Sequence, residues 1–140
     1  MRSVVERDRR RTDALRRIAR ELRGSGASLI LFGSRVRGEH AAASDFDLLL
    51  IAEDEGLRDR LLSALRREGI PADVHFFRPD EAERLLPYSS VLLDALQEGV
   101  VLIDGARISG LVRRAMELRR KGVGRVAGGW RLGEGANSRP

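Results

Sequence analysis

Gly33-Ser34 stands eleven residues ahead of Asp45-Phe46-Asp47, and a third carboxylate, Asp73, opens a later apolar run. A glycine-serine turn lets backbone N–H groups come close to a phosphate, because no side chain intervenes. Carboxylates that converge bind hard divalent cations, Mg²⁺ by preference and Mn²⁺ as the alternative. Together these residues form the equipment for nucleotidyl transfer, which must hold a triphosphate, activate an acceptor hydroxyl and stabilise departing pyrophosphate. In this reading Asp45, Asp47 and Asp73 are the catalytic and metal-binding carboxylates, with Asp73 nearest the acceptor oxygen and able to help remove its proton. Gly33 and Ser34 hold phosphate, and Ser34 also caps the helix that follows. Arg35 and Arg37 clamp phosphate oxygens through their forked donors.

Each piece also has a plain structural reading. Gly33-Ser34 alone suits a strand-to-helix turn without a ligand, Asp45 and Asp47 a solvated strand face or helix cap, and Asp73 a strand entry. The ordered combination, with apolar runs on the correct sides, favours a metal-nucleotide site. His75 shares a strand face with Asp73 and is read as a partly buried strand histidine, contact with a phosphate or acceptor being the alternative. His40 sits in a polar loop and is read as solvated.

The elements that position these residues follow from hydrophobic periodicity. Leu15, Ile18, Ala19 and Leu22 recur at helical spacing within residues 5 to 22, and Gly24-Ser25-Gly26 stops the pattern. Residues 27 to 32 form a short buried strand that runs into the Gly33-Ser34 turn; a brief helix or turn covers 35 to 39 and a loop 40 to 44. Phe46, Leu48 and Leu50 alternate with Asp45, Asp47 and Leu49, which places the two aspartates on one strand face about 7 Å apart. A helix through Leu57 to Leu65 and a strand from Asp73 to Phe77 come next. Pro79, with Asp80, Glu81 and Glu83 behind it, starts an acid-rich helical turn, and the Glu53-Asp54-Glu55 run is likewise a first turn; both sets complement a helix dipole. A helix over 90 to 98, a strand over 100 to 103 and a basic helix over 110 to 121 complete the order. Trp130 and Leu132 are the large apolar anchors of the glycine-rich end. The chain therefore reads as one α/β (α+β) domain, residues 1 to 132, with a small mixed sheet flanked by helices, and 133 to 140 as a disordered tail.

Composition agrees. The 140 residues are 42% hydrophobic and 34% charged, as in a soluble globular domain, with no apolar run of the roughly 20 residues a membrane span needs. Without cysteine there is neither a disulfide nor a thiolate site, and with no targeting segment a cytoplasmic location is expected. The net charge of +5 is uneven: residues 1 to 23 carry nine Arg against four acids, 24 to 105 eight against fifteen, and 106 to 140 nine basic residues against two. An acidic centre suits a cation-dependent site. The basic flanks are read as solvated helix faces ahead of nucleic-acid binding, because no aromatics interleave them.

The set Gly33-Ser34-Arg35-Val36-Arg37-Gly38, Ser44-Asp45-Phe46-Asp47-Leu48 and Asp73-Val74-His75 resembles the signature of the polymerase beta type nucleotidyltransferase superfamily. More narrowly, the chain is similar to the stand-alone minimal nucleotidyltransferases of archaea and bacteria. The motif match covers residues 27 to 77. A looser similarity runs through Leu86-Pro87-Tyr88, Val101-Leu102-Ile103-Asp104-Gly105 and the basic helix, to Gly124-Arg125 and Gly129-Trp130-Arg131-Leu132. The resemblance implies Mg²⁺-dependent transfer of a nucleoside monophosphate from a triphosphate, ATP being the expected donor, with Gly33 and Ser34 at the phosphates and the three aspartates on metal. In some relatives the acceptor is a hydroxyl of a small helical partner, the two forming a toxin–antitoxin pair. A chain of this size has no room for a substrate-recognition domain, so a site completed by a partner or a homodimer is expected. The competing function is a non-catalytic antitoxin or nucleotide-binding module of the same fold.

Overall fold

The computed structural model describes residues 4 to 39 and 45 to 133. The expected 40 to 44 loop, with His40 and Ser44, and residues 134 to 140 of the expected tail lie outside the described residues, whereas Gly133, the first residue of that tail, is described and its N–H donates to the Pro87 carbonyl at 2.6 Å. Helix α1 (Val4–Glu21) leads into strand β1 (Ser28–Phe32), the one-turn helix α2 (Ser34–Arg37) and strand β2 (Phe46–Ile51). Helix α3 (Gly56–Arg67) connects β2 to strand β3 (Ala72–Phe77); helix α4 (Pro79–Leu85), a 3₁₀ turn over Leu86–Tyr88 and helix α5 (Ser90–Glu98) follow. Strand β4 (Val100–Asp104), helix α6 (Ser109–Arg120) and a hairpin of β5 (Gly124–Val126) and β6 (Gly129–Arg131) close the order.

The main sheet has the order β3-β2-β1-β4. β1 is antiparallel to both β2 and β4, whereas β2 and β3 run parallel, the pairing that a crossover helix such as α3 permits. Helices cover both faces. Leu15, Ile18 and Leu22 of α1 and Leu57, Leu61 and Leu65 of α3 pack with Phe46, Leu48 and Leu50 on one side. Leu92, Leu93 and Leu96 of α5 and Leu111 and Ala115 of α6 pack with Leu49 and Ile51 on the other. Covered twice, β2 reads Phe-Asp-Leu-Leu-Leu-Ile, an apolar run broken only by Asp47. A carboxylate in the central strand of a two-faced core is costly unless it has work to do.

Polar ties fix the sheet at its far side. The fully buried Ser28 hydroxyl donates to Asp104 Oδ1 at 2.7 Å and accepts from the Ala106 N–H at 3.0 Å, while Asp104 Oδ1 also accepts from the Ile108 N–H at 3.0 Å. At the glycine-rich end the structure adds what periodicity missed: residues 124 to 131 form a hairpin. It is held by the Gln97 side-chain amide, which donates to the Ala115 and Val123 carbonyls at 2.9 Å, and by the Arg125 guanidinium lying 5.1 Å from the Trp130 ring. Trp130 packs as expected, whereas Leu132 remains 43% exposed and anchors nothing.

Candidate active site

Asp47 is the second residue of β2 and pairs in register with Phe32 on one side and with Asp73 on the other. Parallel register turns Asp47, Asp73 and His75 to the same sheet face, the one covered by α5. One ligand atom from each of these three residues lies within 4.8 Å of the other two. His75 Nε2 sits 3.4 Å from Asp73 Oδ2, and its ring lies 5.9 Å from that of Phe32. His75 is the partly buried strand histidine that was expected, and it also belongs to the carboxylate cluster, a place that sequence reading did not give it. Its signal was the shared parity of 73 and 75; the deciding fact, register between two strands remote in sequence, is not written locally.

Asp45 stands just ahead of the first ladder residue and is exposed. Its carboxylate bears on Asp47 electrostatically but does not belong to the three-residue cluster. Ideal alternation put 45 and 47 together; the ladder begins only at Phe46, whose N–H donates to the Pro71 carbonyl at 2.9 Å, so strand geometry does not extend back to Asp45.

The turn is tied to the cluster through Gly33. Its φ of 83° and ψ of −155° belong to a region that side chains tolerate poorly, and a Cβ there would lie 2.3 Å from Asp47 Oδ2. Glycine is required at this position by the carboxylate beside it as well as by any phosphate. Ser34 is the first residue of α2 rather than its cap: Gly33 is the N-cap residue, and no side chain caps it. The Ser34 hydroxyl is left available to a ligand.

The two arginines of α2 act as braces. Arg35 stacks 3.8 Å over the Phe46 ring and pairs with Asp8 of α1, its side chain only 4% exposed. The expected phosphate clamp is therefore buried against α1, because Phe46 offers a ring face and Asp8 a counter-charge. Arg37 Nη1 donates to both oxygens of Asp94 on α5, at 3.3 and 3.2 Å, and its Nε donates to Glu39 at 2.7 Å. Sequence reading missed Asp94, which looks like an ordinary helical acid between Leu93 and Ala95.

Charge in this region is crowded. Burial raises the Asp47 carboxyl above its ordinary value; Asp73, Asp94 and Asp45 raise it further, and His75 opposes them. Asp94 is raised chiefly by burial, with Arg37 pulling it back. The Arg37 guanidinium is raised, first by its hydrogen bond to Glu39. A half-buried carboxylate pressed by like charges ionises less readily than a free one, and a bound cation would offset both effects. The donor set fits a divalent ion: two carboxylates supply hard oxygens, and His75 orients Asp73 or adds a nitrogen.

Residues 13 to 120 match the family model described as a nucleotidyltransferase domain. The chain belongs to the nucleotidyltransferase domain family. No curated protein matches it. Among solved structures, this nucleotidyltransferase is similar to a toxin–antitoxin structure with AMP-PNP, at 20% identity and TM-score 0.48, covering 78% of this chain and 86% of that one. It is also similar to a double mutant of the toxin–antitoxin MntA-HpeT, at 18% identity and TM-score 0.47, covering 75% and 83%. A third structure, provisionally termed a nucleotidyltransferase, from Sulfolobus solfataricus, stands at 22% identity and TM-score 0.43, covering 72% and 86%. As a small mixed-sheet α+β domain the molecule has the architecture expected of such a transferase. Among the described residues no helix is long and apolar enough to cross a membrane.

Proposed function

We propose that this nucleotidyltransferase moves a nucleoside monophosphate from a triphosphate, with ATP as the preferred donor, to a hydroxyl of a protein or small molecule. The observation that carries this reading is the in-register pairing of Asp47 with Asp73 beside a glycine whose Cβ position the Asp47 carboxylate fills. Asp47 and Asp73 are assigned as the residues that would hold Mg²⁺ or Mn²⁺, with Asp45 as the third carboxylate of the set. Bound divalent cations supply charge neutralisation for the triphosphate and the departing pyrophosphate.

The chain's own residues do the rest. Gly33 and Ser34 present backbone N–H groups and a hydroxyl to the phosphates, and the braces from Arg35 to α1 and from Arg37 to α5 hold that turn against the strand ends. The acceptor oxygen bonds to the α-phosphorus as the bond to pyrophosphate breaks, and Asp73, the most exposed of the cluster at 61% of its side chain, takes the hydroxyl proton. A partner protein of toxin–antitoxin type is the first acceptor to try.

Calorimetric titration with non-hydrolysable analogues of each nucleoside triphosphate tests the reading. Binding that needs Mg²⁺ or Mn²⁺ and disappears in Asp47→Asn supports it. Cation-independent binding, or binding unchanged in Asp47→Asn, overturns it in favour of a non-catalytic partner-binding module.

A further inference from the structure

The sheet ends at β4, and among the described residues nothing pairs with its outer edge. Val100 and Val101 on that edge strand are each 46% exposed, and proteins ordinarily blunt or cover such apolar sheet edges. A groove runs beside them, formed by one depression of about 190 Å³ that includes Arg16, Arg20, Val100 and Val101 and another of about 310 Å³ that includes Gly24, Ile103 and Asp104. The two share Arg23 and Leu102, so they adjoin one another, and between them they border residues 100–104 of the strand. Its helical wall is basic. Arg16, Arg20 and Arg23 are all exposed, and no ion pair engages them among the described residues.

From these features we infer that the β4 edge is the docking site for an extended, acidic segment of a partner protein, which adds to the sheet as a fifth strand. Backbone groups of β4 supply the ladder, the two valines supply apolar contact, and the arginines supply the charge preference. The spacing fits. Arg16 and Arg20 stand one turn apart on α1, about 6 Å along its axis, and Arg23 follows in the turn just after the helix. Acidic side chains at alternate positions of an added strand recur about every 7 Å on one face, so two or three of them meet the three guanidinium groups. A second copy of this chain suits the edge less well, because two-fold pairing of β4 with itself brings two sets of unpaired arginines together. Exposed ion pairs contribute little each, so affinity rests on the ladder and the valines while the arginines select the partner. β4 is separated from β2 by β1 and lies at the opposite edge from β3, so a segment bound there leaves the Asp47–Asp73 site open. The inference is independent of the catalytic reading.

The test is a titration of the ¹⁵N-labelled full chain with two synthetic seven-residue peptides, one alternating Val and Glu and the other alternating Val and Lys, followed by amide chemical shifts. The expected result is shifts confined to residues 100–105 and 16–24 with the acidic peptide, slowed amide exchange in β4, and affinity reduced about tenfold in the Arg20→Glu, Arg23→Glu double variant. The milder Arg20→Gln, Arg23→Gln variant should fall between them, and its unchanged spectrum elsewhere would report an intact fold. Equal binding of the basic peptide, shifts on other surfaces, no shifts at millimolar acidic peptide, or self-association through β4 in sedimentation would each overturn the proposal.

Discussion

At Asp47 the requirements of folding and of chemistry oppose each other. Its carboxyl is raised by burial and by three neighbouring carboxylates, so in the folded protein it holds a proton more tightly than in the unfolded chain. The sign follows: below the ordinary carboxylate range the group costs nothing, and as pH rises through its folded value the ionised form destabilises the cation-free fold. Asp47→Asn is therefore expected to raise the thermal midpoint of the cation-free protein near neutral pH, with the gain over wild type vanishing at acid pH. Thermal scans in a chelator across pH 4 to 7 would show it, and an unchanged midpoint would contradict it. Cations should reverse the ranking by stabilising the wild type alone. Gly33 makes the complementary case. Gly33→Ala forces Cβ into the space of Asp47 Oδ2 from a backbone conformation hostile to side chains, and should cost roughly 1–3 kcal/mol in denaturant unfolding while abolishing cation-dependent nucleotide binding.

At the scale of elements, the one-turn helix α2 contributes no side chain to the apolar core and owes its place to two arginines that tie it to α1 and α5. Arg37→Ala leaves Asp94 buried without its main counter-charge and is expected to cost about 2 kcal/mol, with weaker nucleotide binding from the loosened turn. Adding Asp94→Asn should return part of the lost stability, because it removes the orphaned charge. A four-member mutant cycle followed in urea measures the coupling; strict additivity would rule out the brace. The sequence made the helices and strands around this turn legible, since stripes such as Leu15, Ile18 and Leu22 or the alternation through Phe46, Leu48 and Leu50 are local patterns. It did not reveal the fate of Arg35 and Arg37. Beside a phosphate-type turn both look like clamps, and only the tertiary positions of Asp8, Phe46 and Asp94 show that they bind protein.

For the whole molecule, what decides function is the order of strands. Asp47 and Asp73 are remote along the chain, and the parallel β2–β3 pairing alone sets them side by side and brings in His75. Motif spacing anticipated the first two; the histidine and the separation of Asp45 from the cluster needed the register. The C-terminal hairpin was hidden for a related reason, its glycines giving no period and its hold coming from Gln97, far back on α5. The same two-faced core predicts where stability concentrates. Leu48→Ala, at a fully buried site on the central strand, should cost about 2–5 kcal/mol in urea unfolding. The claim on which everything else turns is that Asp47 and Asp73 hold a divalent cation against the Gly33-Ser34 turn. Crystals grown with Mn²⁺ and a non-hydrolysable nucleoside triphosphate, measured for manganese anomalous scattering, address it directly. A peak bridging the Asp47 and Asp73 carboxylates, with the phosphates on Gly33 and Ser34, is the expected result; a nucleotide bound elsewhere, or no peak between those carboxylates, would contradict it.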